Sequence, residues 1–355
     1  MRKWSWLGVF VLAAACGEVT EADPDGAPPG GRDGGQADAG SLDAAPGEEL
    51  VIVTERLPVA VIDRSYSATL QAVGGARPHS WEAENLPAGL VLSSDGEIVG
   101  ASSQPGHYPV GITLRDADGR STSDLFVLSL GAELEFEDSN LEAAVREALD
   151  RPSDPLVDVD VLGLGTLNAT NSGIADLGGI EALEGLSFLQ LFGNDITDIT
   201  PLRELTRLTN LSLGGSEISD LEPLEDLVNL TSLSLHDSGI DDLTAVSGFT
   251  QLVFLDLGFN DLGDDIEPLT NVSNLRQLNL SGTQLSDVSP LAELEELQTL
   301  EIATNSIEDI TPLETLTKLR VVVIEDNPLD TSPGTPNRDL IEAWLDAGVE
   351  VIFDE

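Results

Sequence analysis

Few side chains in this chain of 355 residues could carry out covalent or proton-transfer chemistry. They are Cys16, the one cysteine, and the histidines His79, His107 and His236, set among sixty-four carboxylates. A histidine becomes a catalyst when a nucleophile and an orienting partner stand beside it, and a thiol when a base lowers its pKa. His79, close to Trp81 in an expected strand, and His107, next to Tyr108 at a strand start, read as structural. His236, followed by Asp237, is equally readable as a binding residue and as a solvated one. The chain has no Gly-x-Ser-x-Gly elbow, no His-Glu-x-x-His pair and no phosphate loop. Carboxylates are so abundant that two of them lying close proves nothing. The expectation is a protein that is not an enzyme and uses no cofactor; a hydrolase with a dispersed carboxylate site is the residual enzyme reading.

Metal chemistry has one candidate, the run Asp116-Ala117-Asp118-Gly119, because alternating carboxylates before a glycine supply oxygens in one common calcium loop. Arg120 stands where the next ligand would be, so a hairpin turn is the expectation and no metal site is assigned. The formal net charge of −48 excludes nucleic acid as a partner, since the phosphates would be repelled. The acidic residues are spread through every segment after residue 17, which reads as solubility of an exported protein.

The elements that position these groups begin with an export signal. Arg2 and Lys3 precede an apolar stretch from Trp4 to Ala15, too short for a permanent membrane span. It ends Leu12-Ala13-Ala14-Ala15-Cys16, which resembles the lipobox of bacterial lipoproteins. That resemblance implies a signal peptide over 1–15 and a lipid on the sulfur of Cys16; an ordinary signal peptide with an incidental cysteine is the alternative. Residues 16–49 are then a lipidated cysteine and a tether of Ala, Asp, Gly and Pro, with too little apolar surface to fold. With a single cysteine, the domains that follow have no intrachain disulfide to lean on.

Over residues 50–131 apolar residues alternate, as in Tyr66, Ala68, Leu70, Ala72, then Tyr108, Val110, Ile112, Leu114, then Phe126, Leu128, Leu130. The period of two predicts half-buried strands, and Gly74-Gly75, Asp95-Gly96 and Asp118-Gly119 mark turns between them. Pro78 and Trp81, Leu86-Pro87-Ala88-Gly89-Leu90, Asp95-Gly96-Glu97-Ile98-Val99-Gly100 and Gly106-His107-Tyr108 resemble the immunoglobulin-like domains of bacterial surface proteins. The resemblance implies a β-sandwich acting as spacer or adhesive module.

A helix is predicted from Phe136, capped by Asp138 or Ser139, within an N-terminal cap over 132–163. The repeats occupy 164–334. Leu164, Leu186, Leu208, Leu230 and Leu252 follow one another at steps of 22, Leu275 after 23, and Leu297 and Leu319 after 22 again, which makes eight coils. Each follows Leu-x-x-Leu-x-Leu-x-x-Asn-x-Ile, a leucine-rich repeat with a short strand, a turn at the Asn position and a tight return path. Asn194, Asn260, Asn305 and Asn327 hold that position in four coils and Ser172, Ser216, Ser238 and Thr283 in the other four, so the ladder that satisfies inward backbone groups is only partly kept. The recurring Asp176, Asp198, Asp220, Asp242, Asp287 and Asp309 are expected to cap turns rather than to bind metal. After Asn327 the pattern stops, and residues 335–355 are predicted to close the solenoid with a helix presenting Leu340, Ile341, Trp344 and Leu345, then a last strand over 349–353.

The repeats with both caps resemble the internalin-like leucine-rich repeats of bacterial surface proteins, whose members bind proteins. The fold class expected is therefore multidomain: an immunoglobulin-like β-sandwich followed by a leucine-rich-repeat solenoid with short parallel strands and helical caps. The expected partner is a protein of unknown identity docking on the concave sheet, with the chain held to the membrane by its lipid at the cell envelope. The alternative is carbohydrate or cell-wall binding through the immunoglobulin-like segment. Counting along each repeat assigns Phe188, Gln190, Phe192, Asn210, Ser232, His236, Phe254, Asp256 and Phe259 to the partner surface. Phe188 and Phe254 should stand three strands apart, about 15 Å, with small residues between them.

Overall fold

The computed structural model describes residues 49–354 apart from 219. The expected signal, Cys16 and nearly all of the tether lie outside the described residues. No helix among the described residues is long and apolar enough to cross a membrane.

Nine strands build the first domain: β1 Val51–Ile52, β2 Ala60–Val61, β3 Tyr66–Thr69, β4 Ala72–Val73, β5 Ser80–Glu84, β6 Leu90–Leu92, β7 Glu97–Gly100, β8 Gly106–Arg115 and β9 Ser121–Gly131. One sheet has the order β2-β9-β8-β5 and faces another of order β3-β7-β6, while β1 pairs with β4. The alternation does what a pleat requires, sending Val110, Ile112, Leu114, Phe126, Leu128 and Leu130 inward to meet Trp81, Tyr66 and Ile98. Asp116 closes the β8–β9 hairpin by accepting backbone hydrogen bonds from Ala76, Asp118 and Arg120 at 3.1, 3.0 and 2.8 Å. Its carboxylate is thus committed to the turn, and among the described residues no cluster of three metal-ligating side chains occurs. His79 lies one residue before β5, not within a strand as its spacing suggested, and its Nε2 contacts the carbonyl of Gly74 at 3.0 Å.

The junction to the second domain is made of direct bonds. Asp158 Oδ1 accepts from the backbone N–H of Ala132, and the carbonyl of Ala132 accepts from Asp158 N–H. Ion pairs Arg56–Asp154 and Arg64–Glu133 span the same seam. His107 belongs here: its Nδ1 meets Ser129 Oγ at 3.0 Å and its Nε2 meets the carbonyl of Val159 at 3.2 Å. The structural reading of this histidine is therefore joined to a definite task, holding one domain against the next.

Helix α1, Ser139–Ala148, starts at Asp138, whose carboxylate accepts from the N–H groups of Asn140 and Leu141 and, through its other oxygen, from Ala175 and Asp176 of the first coil. Cap and coil are fastened by the same side chain. A short helix, α2 (Asp158–Val161), leads into the repeats. Their strands are β10 Thr166–Asn168, β11 Phe188–Gln190, β12 Asn210–Ser212, β13 Ser232–Ser234, β14 Phe254–Asp256, β15 Gln277–Asn279, β16 Thr299–Glu301 and β17 Val321–Val323. After helix α3, Pro336–Asp346, strand β18 (Glu350–Ile352) joins β17, completing a parallel sheet of nine strands among the described residues, in chain order.

Each return path carries a turn of 3₁₀ helix, seven of them in the described residues from Ile180–Ala182 to Thr311–Thr315. The preceding aspartates start them: Asp198, Asp220, Asp242, Asp287 and Asp309 each accept from a backbone N–H two residues on at 2.8 Å. The extra residue of the fifth repeat falls near Gly263, on the return path, and Asp264 there accepts from the N–H groups of Ser286 and Asp287. Because the insertion stays out of the strands, Phe254 still pairs in register with Gln277. At the far end Ile341 and Trp344 are buried as expected. Leu345 is not: it is 44% exposed, because it lies on the far flank of α3 from the core.

Candidate functional site

The concave sheet shows the third and fifth residue of each repeat, because the fourth, the strand leucine, points into the core and neighbours alternate. Register places Phe188 beside Asn210, Asn210 beside Ser232 and Ser232 beside Phe254. The fifth positions run Gln190, Ser212, Ser234 and Asp256 along the same ladder. A floor of Asn and Ser side chains thus lies between two phenylalanines, which forms a shallow saddle. Phe188 and Phe254 are half-buried rather than fully exposed, and Ser212 is buried, since a short side chain between taller neighbours is shaded by them.

The more exposed aromatics are at the turn end of the strands. Phe192 is 39% exposed and Phe259 53% exposed. Phe192 leans over Gly214, where a Cβ would come within 3.0 Å of its ring, and Phe259 leans over Gly282, where the same distance would be 3.0 Å. His236 stands next to Phe259 in an edge-to-face contact with ring centroids 5.1 Å apart. The backbone of Phe259 is left-handed, with φ of 59°. Its place in the repeat is filled elsewhere by Asn171, Gly193, Gly215, Asp237, Gly282, Thr304 and Asp326, all with positive φ. For an aromatic residue that conformation costs about 1 kcal/mol, and the ring it holds outward does nothing for the core.

His236 and Asp256, singled out from their positions, are brought together by the structure. Nδ1 of His236 is 3.5 Å from Asp256 Oδ1, and the same oxygen accepts from Asn279 Nδ2 at 2.9 Å and from the N–H of Gly258 at 3.1 Å. The bond to Asp256 holds the His236 pKa above its usual value; burial opposes this, and the charges of Asp256 and Asp237 add to it. A raised folded pKa means that His236 contributes stability that is fully present below its unfolded pKa of about 6.5 and is lost as pH rises through the folded value. We expect Asp256→Asn to lower the midpoint of the His236 titration, followed by proton NMR of the ring, because its largest raising contribution is removed and burial is then opposed only by the charge of Asp237. An unchanged midpoint would show that Asp256 is not the cause.

Sequence counting did not single out Asn279 and Glu301. Glu301 faces the same side from β16, with Asn279 between it and Asp256. Burial and the charge of Asp256 push its carboxyl above the usual range, and it makes no hydrogen bond or ion pair among the described residues. The only signal in the chain was its fifth position in a repeat.

Comparison with known proteins agrees with both halves of this architecture. Residues 50–131 match the family model described as "Putative Ig domain", and residues 250–293 match that of "Leucine Rich repeats (2 copies)". No curated protein matches the chain. Among solved structures, internalin C2 from Listeria monocytogenes is 33% identical, with a TM-score of 0.56, over 62% of this chain and 94% of that one. Internalin F from the same organism is 32% identical, with a TM-score of 0.49, over 56% of this chain and 66% of that one. Through its repeats and their caps, the chain belongs to the internalin family of leucine-rich-repeat proteins.

Proposed function

We propose that this protein is a cell-envelope scaffold that binds a protein partner on the concave face of its repeats. The observation that carries the reading is the aromatic-walled saddle on a parallel sheet, in which Phe188 and Phe254 flank small polar residues, Phe192 and Phe259 lie further along the same two coils, and Phe259 keeps its ring outward at a backbone cost. Exposed aromatic rings are frequent hot spots, and a preformed sheet spares the ordering entropy of a flexible surface.

With a partner in hand, Phe188→Ala together with Phe254→Ala should weaken binding by about 2–3 kcal/mol while leaving the melting transition cooperative. Phe259→Asn should weaken binding too, yet leave the fold as stable or more so, because asparagine tolerates the left-handed conformation. Titration calorimetry and thermal melts on the same variants decide the matter. Binding that survives all three changes but is abolished by mutations in residues 50–131 would transfer the function to the immunoglobulin-like domain, the carbohydrate or cell-wall reading.

The lipid anchor at Cys16 is part of the same proposal, supported by the small residues before it and the apolar leader. Cys16→Ser should move the protein out of the detergent-extracted membrane fraction. Lipid labelling that persists in that variant would remove the anchor from the reading.

A further inference from the structure

The concave face carries almost none of the charge of this chain. At the third, fifth and seventh positions of the eight repeats the charged residues are Asp256, Glu301 and Glu325, and no lysine or arginine occurs there, in a chain with sixty-four acidic residues. Asp256 and Glu301 sit at one register level, two strands apart, with Asn279 between. That places their backbones about 10 Å from each other. Asp256 Oδ1 is taken up by Asn279, Gly258 and His236, but among the described residues Oδ2 has only a 3.5 Å contact from Ser234 Oγ. The carboxyl of Glu301 has no hydrogen bond or ion pair among the described residues, and it is half-buried between Asn279 and Val323, at its own level on the neighbouring strands. Phe254 lies on the same strand and the same face as Asp256, two residues before it.

A neutral partner surface closing over this face would strip water from two carboxylates and return nothing for it. A cation reaching between them would satisfy both, and the ring of Phe254 beside them suits the aliphatic stem of a basic side chain and the cation itself. We propose that the protein partner inserts a lysine or arginine side chain between Asp256 and Glu301, its stem against Phe254, while an apolar side chain next to it fills the saddle toward Phe188. This rests on the concave face being the docking surface and adds the chemistry of what docks: an apolar protrusion with a basic residue about 10 Å from its tip. Charge complementarity selects this occupant, since every ionised group on that floor near the saddle is acidic or is His236, already engaged with Asp256.

The test uses the immobilised full-length chain and, as probe, a displayed library of one small folded domain with a randomised surface loop. Binders are sorted by whether they lose affinity on the variant carrying Phe188→Ala and Phe254→Ala. Among the binders that do, lysine or arginine should be enriched in the loop. Those binders should bind at least tenfold more weakly to Glu301→Gln, and more weakly still to Glu301→Gln with Asp256→Asn. Changing the basic residue of the binder to methionine should abolish the difference between wild type and variant. Glu301→Gln alone is the cleaner variant, because no hydrogen bond within the protein depends on that carboxyl, and a matching thermal melt confirms its fold. Phe-dependent binders with no basic enrichment, or with equal affinity for the carboxylate variants, overturn this inference and leave the docking face standing. A set of binders none of which depends on Phe188 and Phe254 overturns both.

Discussion

A chain ending at Gly334 is expected to lose cooperative folding of its last coils instead of forming a shorter stable solenoid. In a repeat protein each coil buries its faces only against its neighbours, so an uncapped end exposes core. Here the end is covered by α3 and β18. Ile341, Trp344 and Val349 are buried against the last coil, where Val322 and Ile324 are also buried. Asn337, at the start of α3, reaches back to the coil before it, accepting from Ile310 N–H at 3.0 Å and donating to the carbonyl of Glu308. The carbonyl of Ile352 accepts from Ile324 N–H, so β18 also protects the strand edge. At about 1.5–3 kcal/mol for each large apolar side chain, removing residues 335–355 forfeits roughly 5–10 kcal/mol, comparable with a whole domain's margin of about 5–15 kcal/mol. Calorimetry should show the repeat transition lowered by at least about 10 °C or lost altogether, and light scattering should show association. A monomeric truncated protein melting with the parent would refute the argument. The single change Ile341→Ala, costing about 2–5 kcal/mol, gives the intermediate case.

The second large effect is expected inside the solenoid, at Asn260. Its side chain is buried and fully used: Oδ1 accepts from the N–H groups of Ser238 and Ile240 at 3.0 and 2.9 Å, and Nδ2 donates to the carbonyls of Leu235 and Leu257, both at 2.8 Å. Alanine would leave four buried backbone groups without partners. At about 1–3 kcal/mol for each unsatisfied group, less what relaxation and water recover, the loss should be about 3–5 kcal/mol. Ser216, at the equivalent position of another repeat, makes one such bond, from Oγ to the carbonyl of Asn194 at 3.0 Å, so Ser216→Ala should cost only about 1 kcal/mol. Urea unfolding at constant slope measures both. Equal losses would mean that the asparagines are not the stronger rungs of this ladder.

That contrast shows how much of the molecule was legible in its residues. The 22-residue period, the inward leucines, the turn-capping aspartates, the Asn positions and the two closing helices all follow from patterns that repeat within one coil or one helix. Such features depend on neighbours a few residues away, where propensity, hydrogen-bonding reach and burial act on the same short stretch of chain. The two walls of the saddle were readable as well, because a strict repeat turns a count along the chain into a position across the sheet.

What the tertiary structure alone decided lies between coils. Phe259 faces His236 and Asp256 approaches it because residues 20 or more apart are stacked about 5 Å from each other, and side-chain direction there is set by the left-handed turn. Glu301 feels Asp256 for the same reason, across two strands, and no spacing in the chain distinguished it from the other fifth positions. The task of His107 depended on which part of α2 lies against β9, a contact between domains that neither domain's own pattern encodes. Leu345 was misplaced because helical periodicity fixes relative angles around an axis, while the direction of the core is fixed by what the helix is packed against. Local periodicity determines which residues are inside and where the chain turns; which polar and aromatic groups meet on the surface is decided by register and packing between segments.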